Sequence, residues 1–245
     1  MDPLTSMAAS GLRSSMESLD LLANNLANAQ TSGFKTDREF YTLFTASEAA
    51  EPGAYDPTQM PEIEKNWTDY AQGNLRQTAN PTDLAISGAG FFTVTGPYGP
   101  LYTRNGTFKL TPAGRLVTPE GYPLLGSDSQ PIQLDPSQRL ELNAQGEIRQ
   151  GGQVAGTVQP VSFVRTSDLS KQGASYFRFD GQATSVSPAS GEVLQGKLED
   201  SNVGSAESAV RLVTVMRQFE MLQKAIGIGV EMNQKAIQEV AKSGA

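Results

Sequence analysis

The sequence predicts an α+β protein, with N- and C-terminal helices forming a coiled-coil-like axial domain around a central, mostly antiparallel β domain. Three observations carry this prediction. Apolar residues recur near both ends with a mean spacing of about 3.5 residues, the period of a coiled-coil seam. The stretch between them is punctuated by Gly and Pro and by short strand-like apolar runs. No run approaches about eighteen apolar residues, so no stable membrane insertion is expected.

Residues 1–33 read as the N-terminal axial helix. Leu12, Leu19 and Leu26 fall seven apart, Ala8, Leu22 and Ala29 take intermediate seam positions, and Ser15 is the weak member. Asp2 followed by Pro3 reads as an N-cap and first-turn proline, and Thr31-Ser32-Gly33 as a C-terminal stop. Residues 34–78 read as an extended connector. Phe34 to Phe44 mixes aromatics with charges and shows no sustained period, and Glu51-Pro-Gly-Ala-Tyr-Asp-Pro57 and Met60-Pro61 are loop signals. An ordinary surface loop is the other reading of that segment.

Residues 79–198 form the predicted β-rich outer domain. Leu84, Ile86, Phe91, Phe92 and Val94 supply strand positions around Gly88-Ala89-Gly90. The strongest local signal is Asn105-Gly106, which predicts a type I′ hairpin joining Leu101–Arg104 to Thr107–Leu110. Further turns are predicted at Pro112-Ala113-Gly114, Glu120-Gly121 and Asn143 to Gly146. More strands are expected at Val158 to Val164, Ser175 to Phe179 and Val193 to Leu198. Such short strands suggest a sandwich-like or irregular barrel-like domain.

Residues 199–245 read as the C-terminal axial helix, packing with residues 1–33. Leu212, Met216, Phe219, Leu222, Ile226, Val230, Ile237 and Val240 trace its seam, interrupted by Asn233. Ser205 is the expected cap and Glu207 suits the first turn. The pairs Glu207/Arg211, Glu220/Lys224 and Glu231/Lys235 each add roughly 0.2 to 0.5 kcal/mol on a solvated face. One such seam does not offset the entropy of ordering two long helices. The helices are therefore expected to pack on each other and on neighbouring subunits; the alternative is an antiparallel hairpin with no partners.

Composition narrows the functional classes. The 245-residue chain has a net charge of −7, 38% hydrophobic residues, and neither histidine nor cysteine. The acidic balance argues against nucleic-acid and anionic-membrane binding, which need basic surface. Without His or Cys the commonest general base, the thiol nucleophile and the softer metal ligands are missing. Ser32-Gly33-Phe34-Lys35 matches a Ser-x-x-Lys pattern without its companion motifs, and Gly33 is better explained as a helix stop. Glu199-Asp200 with Asp180 is a weak candidate for a hydrolytic carboxylate pair. Arg104, beside the Asn-Gly turn, reads as a polar hairpin residue or a partner contact. No catalytic residue, cofactor or metal is assigned. Met1 to Ala9 lack the basic region and apolar core of a secretory signal, so any export is expected by another route.

Leu19-Asp-Leu-Leu-Ala-Asn-Asn-Leu-Ala-Asn-Ala-Gln-Thr-Ser-Gly-Phe-Lys35 resembles the N-terminal signature of bacterial flagellar rod and hook proteins. Asn80 to Phe92 and Tyr102-Thr-Arg-Asn-Gly-Thr-Phe108 resemble that family's central segments. Leu198-Glu-Asp-Ser-Asn-Val203 and the helix after it resemble its C-terminal signature. Length and Arg217-Gln-Phe-Glu220 are more like the proximal-rod type than the distal-rod type.

The resemblance implies a structural subunit of the flagellar basal-body rod, a drive shaft crossing the periplasm and transmitting torque. It implies export through the flagellar type III apparatus without a cleaved signal, and assembly with other rod proteins and copies of itself. The subunit-interface residues expected on that basis are Leu12, Leu19, Leu22, Asn24, Asn25, Leu26 and Asn28 in the first helix. In the last helix they are Leu212, Met216, Phe219, Leu222, Ile226, Val230 and Ile237. Two rival readings are an extracytoplasmic β-rich binding module on a helical oligomerisation stalk, and a peptidoglycan-cleaving enzyme.

Overall fold

The computed structural model describes residues 3–44, 60–143, 145–173, 175–182 and 185–243. It is α+β, with helix α1 (Pro3–Ala27), helix α2 (Ser205–Ser243) and short strands between them. Every strand pair among the described residues is antiparallel. The chain divides into two compact units. One combines Met1–Ala27, Asp37–Asp69 and Gly204–Ala245; the other combines Asn28–Thr36 and Tyr70–Val203.

In the first unit α1 opens at Pro3, where a missing N–H costs nothing because no helical acceptor precedes it. The proposed cap Asp2 lies outside the described residues. α1 stops at Ala27, earlier than the Thr31-Ser32-Gly33 signal, because residues 28–36 turn into the β-rich unit. α2 starts at Ser205, whose expected role as cap falls instead to Gly204: its carbonyl accepts from Ser208 N at 2.8 Å. Arg211 reaches Glu39, 3.1 Å away.

The connector expected over residues 34–78 is corrected. Asp37–Phe44 and Met60–Thr68 pair in register from Asp37 opposite Thr68 to Phe44 opposite Met60. Thr68 Oγ1 donates to Asp37 Oδ1 at 2.7 Å, and Arg38 pairs with Asp69 at 3.0 Å. A bulge between Phe40 and Tyr41 breaks the alternation that a strand reading requires, which hid the pair in the sequence. The loop signals from Glu51 to Pro57 lie outside the described residues.

The β-rich unit is built of small antiparallel sheets. Strand Leu84–Ser87 pairs with Glu192–Gln195, and Leu75–Gln77 with Lys197–Glu199. The earliest strands of the unit thus pair with its last. Phe92–Gly96, Gly99–Thr103, Tyr176–Phe179 and Leu169–Gln172 form a four-stranded sheet. Leu84, Ile86, Phe92, Phe108, Leu124 and Ile148 centre one core, while Phe91, Tyr102 and Phe177 centre a second. In the second, Tyr102 meets Phe163 edge-on with ring centroids 4.7 Å apart. The turns predicted near Gly114, Gly121 and Gly146 are present, each glycine taking positive φ and donating to the carbonyl three residues back.

The Asn105-Gly106 hairpin is the clearest correction. The sheet turns instead at Pro97-Tyr98, with Gly96 opposite Gly99, and Gly99 has φ +127°. Neither Asn105 nor Gly106 has the positive φ that a type I′ turn demands. Asn105 Oδ1 accepts from Thr107 N at 3.0 Å, a local side-chain turn. Gly106 is required for a different reason: a Cβ there would lie 1.5 Å from Leu84 O. The dipeptide marks a close backbone approach and not a reversal of direction.

Candidate functional site

Within the helical unit, the faces of α1 and α2 differ from the seams read in the sequence. Gly11, Ser15, Ser18, Leu22 and Asn25 recur at spacings of four and three along one face of α1. Ser18, Leu22 and Asn25 are buried. Leu222 of α2 approaches within 3.3 Å of where a Cβ of Gly11 would stand. Gly11 leaves room on α1 that Leu222 of α2 occupies. A search for leucines passes over this stripe, and Ser15, read as the weak member, belongs to it. Its hydroxyl donates to Gly11 O at 2.8 Å, so no polar group is stranded.

Leu12, Leu19 and Leu26 flank that face and are half-buried. Asn24 is exposed. Asn25, expected at a subunit interface, is buried here, where its Nδ2 donates to Asp37 O at 2.8 Å and its Oδ1 accepts from Asp37 N at 3.1 Å. Both ends of the amide are thus engaged within the unit. Asn28 falls in the β-rich unit, where its carbonyl and its Oδ1 both accept from Thr31.

On α2, Leu212, Phe219, Leu222 and Ile226 are half-buried and share their face with Val215, which is buried. Met216 and Val230 leave this face, because the packed positions 212, 215, 219, 222, 226 and 229 alternate steps of three and four. They are 48% and 45% exposed. The side chain of Ile237 lies outside the described residues. Val210, Met221, Ile228 and Met232 form another exposed apolar stripe, with Val213 at its margin. α2 is therefore apolar on more than the one face it packs.

The β-rich unit holds a group of charges that the sequence reading did not assemble. Lys35, Arg104 and Glu199, far apart in the chain, meet in its interior. Lys35 Nζ lies 2.5 Å from Glu199 Oε1, and Arg104 Nη1 lies 3.0 Å from Oε2. The Lys35 and Glu199 side chains are both 0% exposed. Gly73 N also donates to Oε1 at 2.9 Å, Lys35 Nζ donates to Ala71 O at 2.7 Å, and Arg104 Nη2 donates to Gly88 O at 2.7 Å. Each charge thus has both a counter-charge and neutral partners, which a buried ion requires. Burial pulls the Arg104 pKa below its ordinary value, an effect that the Glu199 charge and hydrogen bond oppose. The Arg104 guanidinium also sits 5.4 Å from the centre of the Phe91 ring.

Glycines let these backbones close up. Gly33, at φ +68°, donates to Glu199 O at 2.7 Å, and a Cβ on it would lie 2.3 Å from Arg104 C. A Cβ on Gly73 would lie 2.0 Å from Asp200 O. Around the ions, Asn202 Oδ1 accepts from Thr36 N at 2.8 Å and its Nδ2 donates to Ala71 O at 3.1 Å. Lys171 Nζ donates to Lys35 O at 2.8 Å and sits 4.0 Å from the centre of the Phe34 ring.

Gly33, better explained in sequence as a helix stop, is thus a contact residue, and Arg104 is buried, not part of a hairpin surface. Glu199 is held by two cations, and Asp180 pairs with Arg178 at the surface, so the two do not form a carboxylate pair. The signal available in sequence was a charge inside each of three signature stretches: Lys35, Arg104 and Glu199.

Comparison with known proteins decides the family. The domain described as "Flagellar hook protein FlgE/F/G D1 domain" matches residues 85–155, and "Flagellar basal body rod FlgEFG protein C-terminal" matches residues 194–239. The flagellar basal-body rod protein FlgF of Caulobacter vibrioides is 32% identical, covering 91% of this chain and 92% of the relative. The chain belongs to the FlgF/FlgG family of flagellar basal-body rod proteins. FlgG of Buchnera aphidicola subsp. Schizaphis graminum is 30% identical over 97% of this chain and all of the relative. FlgF of Mesorhizobium japonicum is 32% identical over 82% of this chain and 83% of its own length. As a member of the FlgF/FlgG family, the chain is a structural subunit of the basal-body rod, and the binding-module reading is not favoured.

Proposed function

We propose that this chain is a proximal-rod, FlgF-type subunit whose two terminal helices build a coiled-coil-like axial contact with copies of itself and with other rod proteins. In this reading the rod crosses the periplasm and transmits torque, the chain leaves the cytoplasm by the flagellar type III apparatus without a cleaved signal, and it performs no catalysis. The observation that carries the reading is the apolar stripe of α2 left open after α1 has packed. Val210, Met221, Ile228 and Met232 are 60 to 69% exposed along it. Exposed apolar area of this extent favours association.

Leu12, Leu19 and Leu26 supply the matching stripe on α1. Leu212, Phe219, Leu222 and Ile226 then serve first to hold α1 and α2 together. The test compares purified basal bodies by immunoblot. A Met221→Asp, Ile228→Asp chain is expected to be made at normal levels with an unchanged circular-dichroism melt, yet to be missing from basal bodies. Incorporation at the wild-type level would refute the α2 stripe as an assembly surface.

A further inference from the structure

The buried ions and the strand order together describe a closing step, independent of the rod assembly above. Leu75–Gln77 and Leu84–Ser87, near the start of the β-rich unit, pair with Lys197–Glu199 and Glu192–Gln195 near its end. Lys35 and Arg104 both direct their charge to Glu199. Until residue 199 arrives, both cations lack that carboxylate, and burying either one is strongly unfavourable. Segment 33–36 depends on the same arrival, because Gly33 N donates to Glu199 O and Thr36 N to Asn202 Oδ1. So does segment 71–74, through Gly73 N, Ala71 O and Asn74 O, the last accepting from Asp200 N at 2.8 Å.

We infer that Lys35, Arg104, Glu199 and Asn202 form a closure latch, by which segments 33–36, 71–77 and 104–106 lock in one concerted event when segment 197–202 docks. By contrast, the pair Phe92–Gly96 and Gly99–Thr103 and the pair Glu147–Gln150 and Gln153–Thr157 are joined by two-residue turns. Local pairings close with little loop entropy, whereas the latch spans most of the chain. A chain made from its N-terminus therefore holds a preformed but open β-rich unit until residues 197–202 are available.

Pulse-labelling hydrogen exchange during refolding of the full chain tests this. The wild-type protein is expected to protect segments 92–103 and 147–157 first. Segments 33–36, 71–77, 104–106 and 197–202 should follow at one shared, slower rate. Protection of 33–36 with the early hairpins, or at a rate different from 197–202, would overturn the latch. In Glu199→Gln the late phase should slow at least tenfold or vanish while the early phase keeps its rate; an unchanged late phase would also overturn it. Should Glu199→Gln not refold, the wild-type order alone decides, and Asn202→Ala provides a milder variant. Asn202→Ala is expected to speed native-state exchange at Thr36 several-fold, and no change there would remove Asn202 from the latch.

Discussion

In the helical unit, α2 presents Val210, Met221 and Ile228 to solvent at 60 to 69% exposure, whereas in the β-rich unit a lysine and a glutamate reach 0%. Ordinary expectation puts these residue types the other way round. The two inversions have different physical consequences. Exposed apolar side chains lose nothing by staying bare in the monomer, but gain when a partner covers them. Buried ions, by contrast, must be matched within the chain, and Lys35, Arg104 and Glu199 are matched to one another and to neutral groups. One region is left unfinished at its surface, and the other pairs its charges internally, although the buried Arg104 Nε has no hydrogen-bond partner among the described residues.

The sharpest way to break the contrast is to unmatch the ions. Glu199→Leu leaves Lys35 and Arg104 buried without their carboxylate, and should destabilise the folded chain by about 3 to 5 kcal/mol in urea unfolding. Replacing all three, as Lys35→Met, Arg104→Met and Glu199→Leu, should recover most of that loss, since a matched apolar cluster carries no desolvation penalty. A triple variant as unstable as the single one would mean that shape, not charge matching, dominates there.

Glycines give a smaller contrast of opposite sign. Gly33→Ala meets both a positive φ and the Arg104 backbone, and should cost at least about 1 to 3 kcal/mol. On α2, an added Cβ at Gly227 meets nothing within 4 Å. Gly227→Ala should therefore raise stability by about 0.5 to 1 kcal/mol, read as a higher melting temperature. A loss at Gly227 would mean that the helix needs local flexibility there.

The same contrast explains what was legible in the sequence. Both helices and several strands, such as Leu84–Ser87 and Phe92–Gly96, could be read, because period and turn chemistry are local; Glu147–Gln150, Gln153–Thr157 and Leu169–Gln172 were not. The packed face of α1 escaped because Gly11, Ser15 and Ser18 fit by being small, and a search for apolar periodicity rewards Leu12, Leu19 and Leu26 instead. Asn105-Gly106 misled because the dipeptide suits a tight turn as well as it suits a close approach to Leu84, and only tertiary structure separates the two. The ion cluster left only a charge inside each of three signature stretches, with no local sign that the three meet. Lys35 and Glu199 are 164 positions apart, and nothing in either neighbourhood announces the other.

The hydrogen bond from Thr36 N to Asn202 Oδ1, 2.8 Å long, ties the end of the first segment of the β-rich unit, residues 28–36, to the end of its second, residues 70–203. The chain therefore enters this unit twice and leaves it twice. A domain built of two segments cannot be cut out as one piece of chain. A fragment of residues 70–203 alone would lack Gly33, Lys35 and Thr36, and with them three of the contacts that Glu199 and Asn202 make.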